Sequence, residues 1–340
     1  MLRAETPKFY LVLVTALMLL LAAVYVSLTN GTYDISVRDV IKTFLRLDPV
    51  REFDLVIFEF RLPRIVLGVM VGFALGLAGS VIQGVTRNPL SEPGILGINA
   101  GAGMAVVLFM LVFQGQIDVS GWASVLLMPM FGIAGGLAAT AMIFIFARHQ
   151  GSLDPQRVIL VGIAVATGFG SLSMYISLKM NPNDFEMATV WLAGSIYNAN
   201  WQYIVMMLPW LILLPPIIWA RSKVLDLFQL DELNVRGLGV KVERERNWLL
   251  VCSIGLVSVS VAVSGSIAFI GLIAPHMARR LVGLRHQLNL PISGLLGSLM
   301  IVVADFIGRT VFAPAELAVG IVVSIIGVPY FVYLLIISKR

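Results

Sequence analysis

At 340 residues, 59% hydrophobic and only 13% charged, with a mean hydropathy of +0.93, the chain has too little polar surface to coat a water-exposed fold. Soluble domains run at roughly 45–50% apolar and about 25% charged, so soluble enzymes, nucleic-acid-binding domains and disordered chains are excluded as wholes. Continuous apolar runs also exclude a membrane β-barrel, whose signature is alternation over segments of about ten residues. The net charge of +5 and pI near 9.5 fit cytoplasmic membrane faces. The single Cys252 lies in an apolar run and supports neither a disulfide framework nor a multi-cysteine metal site.

A spanning helix needs about 20 mostly apolar residues. The first run, 9–29, is too long for the core of a signal peptide, and no small-x-small site follows before Thr29-Asn30-Gly31. It reads as a first span. Between residues 31 and 60, Ser36 can cap a short helix in which Val37, Val40, Ile41, Phe44 and Leu45 share a face. This is an amphipathic extracytoplasmic segment of nearly balanced charge, or a solvated loop helix with no other role. Further spans are predicted over 62–83, 95–113, 121–147, 157–180, 201–220, 248–264, 266–282, 291–311 and 318–337. Those at 95–113, 266–282 and 291–311 are shorter or richer in Gly and polar residues. With about ten spans and no internal repeat, residues 1–340 form one all-α membrane domain.

Orientation follows from the Lys and Arg of the loops. With the N-terminus inside, the cytoplasmic segments hold 16 of these residues and the opposite side holds 8. Both termini are therefore expected in the cytoplasm. Small residues recur at four-residue spacing in three helices: Gly68, Gly72, Gly76 and Ser80; Gly132 and Gly136; Gly162, Ala166 and Gly170. Such stripes let helix backbones approach closely and read as packing faces before a substrate path.

Few ionisable residues lie within the spans. Asp305 and Arg309 form an i, i+4 pair near the outer end of the ninth, able to neutralise itself. His149, His276 and His286 sit at expected cytoplasmic ends and Glu316 in an outer loop, so no proton relay is evident. No G-x-x-x-x-G-K-[ST], H-E-x-x-H or nucleophile elbow occurs. Enzymatic chemistry, a resident cofactor and a metal site are not expected, and the energy source lies outside this chain.

Two cytoplasmic segments read as recognition surfaces. Arg87-Asn88-Pro89-Leu90-Ser91-Glu92-Pro93-Gly94 holds two prolines that stop a helix, and is a re-entrant turn or an ordinary tight one. The long loop 221–247 contains Leu230 to Val240, a short polar helix ending in Gly237-Leu238-Gly239. It can form a helix–turn–helix suited to a partner's groove, or a solvated connector.

These motifs, with Arg61-Leu62-Pro63-Arg64, Phe269-Ile270-Gly271-Leu272-Ile273-Ala274-Pro275-His276 and Ala315-Glu316-Leu317, occur in an order that resembles the FecCD family of ABC-transporter permeases. The resemblance spans about residues 35 to 335. It implies a fold like that of cobalamin-importer permeases (type II ABC importers) in the bacterial cytoplasmic membrane. The partners it implies are a second permease subunit, identical or paralogous, two cytoplasmic ATPases that bind ATP and Mg, and an external substrate-binding protein. Nucleic acid is not among them. The expected substrate is a ferric siderophore. A haem or cobalamin permease is the alternative within the family, and an ion-coupled secondary transporter the alternative outside it. By the same resemblance Arg61, Arg64 and Arg309 would dock the binding protein. Asn88, Pro89 and Leu90 would contribute to the inner gate, and Asp231, Glu232, Arg236, Gly237 and Gly239 would couple to the ATPase. Asp231 and Val235 depart from a frequent Gly and Ala of that coupling loop.

Overall fold

The computed structural model describes residues 5–31, 35–47, 50–113, 122–149, 152–153 and 155–337. The helices in chain order are α1 (Glu5–Thr29), α2 (Val37–Phe44), α3 (Arg51–Asp54), α4 (Leu62–Thr86), α5 (Ile98–Phe113), α6 (Trp122–Ala147) and α7 (Pro155–Ser177). They continue with α8 (Pro182–Leu192), α9 (Trp201–Ala220), α10 (Ser222–Leu227), α11 (Glu232–Gly237), α12 (Val242–Ser264), α13 (Ile270–Val282), α14 (His286–Thr310) and α15 (Val319–Ile337). A π-helical segment, Leu55–Arg61, joins α3 to α4 without a break, and a 3-10 turn, Pro93–Leu96, precedes α5. Two strands of two residues each, β1 (Arg148–His149) and β2 (Ser152–Leu153), pair antiparallel between α6 and α7, a feature absent from the sequence reading.

Each of the ten apolar runs holds a helix. Seven helices among the described residues are long and apolar enough to cross a membrane, and α5, α13 and α15 supply the three remaining runs. The run at 266–282 is corrected: helix begins only at Ile270, because Gly265 and Phe269 both hold positive φ values of 67° and 68° and interrupt the ladder. At 1.5 Å per residue α13 is about 20 Å long, short of the roughly 30 Å hydrocarbon core. It is a half-helix. The second run also differs, extending back to Arg51 as one continuous helical unit. The 221–247 loop is shorter than expected, since α12 already starts at Val242.

Ser36 caps α2 as anticipated, accepting from the Asp39 N–H at 3.2 Å. The helix is amphipathic, and its apolar residues divide between the protein and the outer surface. Val40 and Thr43 turn inward, while Val37, Ile41, Phe44 and Leu45 are exposed.

At the centre lie α4 and α12, buried along most of their length, with α1, α7 and α9 at the periphery. The closest packing joins α4 to α14. A β-carbon at Gly72 would strike the backbone of Gly297, and one at Gly76 the backbone of Ser293. Ser80 continues the row, donating its hydroxyl to Asn289 Oδ1 at 2.8 Å. Close backbone approach of this kind substitutes for the hydrophobic drive that lipid cannot provide. Gly132 and Gly136 face Ala262 and Ser258 of α12. The third stripe is only partly a packing face: Gly162 is buried beneath Gly97, whereas Gly170 opens on empty space. In α12 the buried hydroxyls of Ser253, Ser260 and Ser264 bond to carbonyls one turn back, which satisfies these three groups in the core.

Candidate functional site

Three groups of residues stand at the ends of the α4–α14 pair. The first is at the Arg64 end. Arg64 donates from Nε to Asp305 Oδ1 at 2.7 Å and from Nη1 to Glu316 Oε2 at 2.8 Å, and its guanidinium lies over the Tyr197 ring at 5.7 Å. Asp305 is 3% exposed, and its contact to Arg309 within α14 is 3.9 Å. The Asp305–Arg309 pair is thus present but secondary: the principal partner of Asp305 comes from α4, 241 residues away. A buried carboxylate is stabilised by the partner that offers hydrogen bonds as well as charge.

Arg61 and Arg309 do different work. Both are buried, at 6% and 8% exposed. Arg61 donates to the Leu28 carbonyl, and Arg309 to the Ser27 carbonyl and hydroxyl. These carbonyls belong to the last turn of α1, where helix geometry leaves acceptors unpaired and the dipole favours a cation. The two guanidinium groups meet at Gly31, where a β-carbon would lie 3.0 Å from Arg309 Nη1 and 3.1 Å from Arg61 Nη2. All three arginines line one cavity of about 580 Å³, together with Glu59, Tyr197, Asn198, Asn200, Asp305 and Glu316.

The second group is at the opposite end of α4. Arg87 takes a left-handed conformation (φ 54°) that ends the helix. Asn88 then closes the turn, its Oδ1 accepting from the Leu90 N–H at 2.9 Å and its carbonyl from Ser91 N–H at 3.1 Å. Thr86 and Ser91 join hydroxyls at 2.8 Å across the base. Pro89 is exposed, while Asn88 and Leu90 are half-buried.

The third group is α10–α11. Val235 is fully buried and fixes α11. Glu232 accepts from Arg236 one turn on and from Arg246 of α12 at 3.0 Å, and Arg246 also reaches Glu243 at 3.5 Å. Burial acts to raise the Glu232 carboxyl, but the hydrogen bonds and charges of Arg246 and Arg236 prevail and hold it below the ordinary glutamate value. Gly239 has φ +81°, a conformation that only glycine adopts freely, while Gly237 has no such requirement. Asp231 is exposed at the start of α11 and makes no side-chain cap.

Sequence reasoning missed two features here. The charges largely pair with one another, and what the segment offers outward is apolar: Leu233 is 85% exposed, Leu238 63% and Leu230 46%. The helical spacing of these leucines was visible, but the surrounding charges concealed that they point outward. The other feature is Asp226 of α10, whose Oδ1 accepts from both the backbone N–H (2.8 Å) and the Nδ1 (2.7 Å) of His286, the first residue of α14. Nothing in the sequence links residues 60 positions apart. Among the described residues no group of three or more His, Cys, Asp or Glu side chains could hold a metal.

A family model described as the FecCD transport family matches residues 19–337. The chain is 49% identical over 322 residues to the iron-uptake system permease protein FeuC of Bacillus subtilis, covering 95% of this chain and 96% of that protein. It is 42% identical to the iron(3+)-hydroxamate import system permease protein FhuG of the same organism, covering 98% of each. A solved inward-facing structure of a putative metal-chelate type ABC transporter superposes with a TM-score of 0.81 at 29% identity, over 96% of this chain and 99% of that one. Motif order, helix arrangement and near-complete coverage agree: the chain is a multi-pass membrane protein and belongs to the FecCD transport family.

Proposed function

We propose that this chain is the membrane-spanning subunit of a binding-protein-dependent ABC importer that carries a ferric siderophore across the bacterial cytoplasmic membrane. The observation that carries the reading is near full-length similarity to permeases named for iron and iron(3+)-hydroxamate import. The Arg64 end faces outward and the Asn88 end and α11 face the cytoplasm, with both termini inside. A second permease subunit completes the pathway, and two ATPases bind ATP and Mg beneath it.

In this scheme α11 enters a groove on the ATPase, led by Leu233 and Leu238. Burying such side chains stabilises a complex by about 1.5–3 kcal/mol each, more than exposed ion pairs would. Gly239 sets the turn back into α12. Asn88, Pro89 and Leu90 shape the inner mouth. At the outer end, Arg64 is the arginine best placed to meet an acidic group of the loaded binding protein, because it shares the cavity with exposed Glu316, Tyr197 and Asn198. Arg61 and Arg309 support it by fixing α1. Charges at such a rim chiefly set association rate and register.

Reconstitution tests the proposal. Proteoliposomes holding the permease pair and its ATPases should import ferric hydroxamate siderophore only with ATP at the ATPase face and loaded binding protein at the other. Import driven by a proton or sodium gradient without ATP would replace the proposal with a secondary carrier.

A further inference from the structure

After α4 ends, the chain doubles back into the bundle. Pro93 packs on Gly271, which itself lies against Gly79, about two helical turns back along α4 from Thr86. At this depth the half-helix α13 begins. Its first N–H groups have no partner within the helix, and residue Phe269 at its N-cap provides no side-chain bond. The acceptor comes from the returning segment: the Glu92 carboxylate takes the Phe269 N–H. Burial pushes the Glu92 carboxyl above the ordinary glutamate value, and the hydrogen bond from the Phe269 N–H opposes that shift without cancelling it. Gln83 of α4 completes the junction, donating to the Gly271 and Leu272 carbonyls at 3.1 and 3.3 Å.

Phe269 is itself constrained. Its φ of 68° is left-handed, a region that bulky residues avoid, and its ring presses on Gly327 of α15, where a β-carbon would meet Cγ at 2.6 Å. Such a conformation persists only where its surroundings over-determine it. Here the constraints are the Glu92 carboxylate on one side and the α15 backbone on the other.

We infer that Glu92 is a positioning residue for transport, pinning the Asn88–Leu90 turn to the start of α13 so that the turn, α13 and α15 change arrangement together. Release of the Glu92–Phe269 contact frees Phe269 to leave its left-handed conformation and frees the turn to move away from α4. The inference rests on the reading of Asn88–Leu90 as the inner gate.

The test uses the complete reconstituted importer, with this chain carrying Cys252→Ala, which removes its one native thiol, and Leu90→Cys, and with labelling read on this chain alone. A membrane-impermeant maleimide applied at the ATPase face reports the resting exposure of the introduced thiol, alongside siderophore imported per ATP hydrolysed. Adding Glu92→Leu should raise the resting modification rate about tenfold and lower import per ATP by a similar factor, as expected when a buried amide loses its acceptor. Glu92→Gln keeps an oxygen acceptor at that position and should stay within about threefold of the parent on both measures. Parent-like values for Glu92→Leu, or a Gln variant as impaired as the Leu variant, would overturn the inference. If Glu92→Leu fails to assemble, Glu92→Asp decides: the carboxylate withdrawn by one methylene should raise the modification rate, and an unchanged rate overturns the inference. A parent thiol whose rate is the same at rest and in the ATP-trapped state would instead reject the gate reading on which it rests.

Discussion

At the Arg64 end, Arg61 and Arg309 are turned inward to hold the last turn of α1, and Arg64, at the cavity rim, ties α4 to Asp305 and Glu316. At the α11 end the charges are half-exposed, tied to one another within a few turns of chain, and leucines project beyond them. The same residue types thus serve opposite purposes. Where a cation is buried against carbonyls and a carboxylate, it fixes helices relative to one another. Where cations and anions pair in solvent they contribute little to stability, and the apolar side chains they surround are left projecting outward.

The comparison breaks most readily at Asp305. Replacing it with Ala strands Arg64 beside a buried vacancy and should cost about 3–5 kcal/mol, whereas Glu316→Gln, at the exposed end of the same guanidinium, should cost less than about 1 kcal/mol. Thermal unfolding of the two variants in lipid nanodiscs checks this. Similar costs would mean that the network is held from its rim and not from its core.

How much of this was legible in sequence depends on range. Apolar runs located ten of the fifteen helices, and the Ser36 cap was readable because the N–H it accepts lies three residues away. The partners of Arg64 and Arg309 lie 241 to 282 residues distant, and one of the acceptors, at Ser27, is a backbone carbonyl that no side-chain pattern announces. The half-helix was hidden for another reason. Hydropathy continues unbroken through 266–269, and only the backbone angles at Gly265 and Phe269 show that the chain there is not helical.

A smaller effect is expected at the leucine tip. Leu233→Asp removes an exposed contact without disturbing Val235, so the chain should fold normally while capture of the ATPase weakens about tenfold or more. Titration of purified permease against immobilised ATPase measures it. Wild-type capture would transfer the recognition role to the charged residues Asp231 and Arg236.

The smallest effect concerns pH. The Glu232 carboxyl is held below its ordinary value of 4.5, so its contribution is fully present above that value. It is lost as pH falls through the lower folded-state value. Amide exchange across α11 should therefore stay slow from neutrality to about pH 5 and quicken, relative to α12, only below about 4.5. Equal quickening in a Glu232→Gln variant would show that the network contributes nothing to the order of α11.

The contact of α4 with α14 has a mechanical consequence. Where carbonyl meets backbone at Gly72–Gly297 and Gly76–Ser293 there are no long side chains to bend, and the two helices can neither slide nor part by small amounts. They form a stiff beam, about 38 Å long at 25 residues of α14. One end is held at His286 by Asp226 and the other at Arg309 by Ser27. A tilt imposed on α10 must reappear beside α1 on the far side of the bundle, with the sense of the motion set by wherever the beam finds its fulcrum.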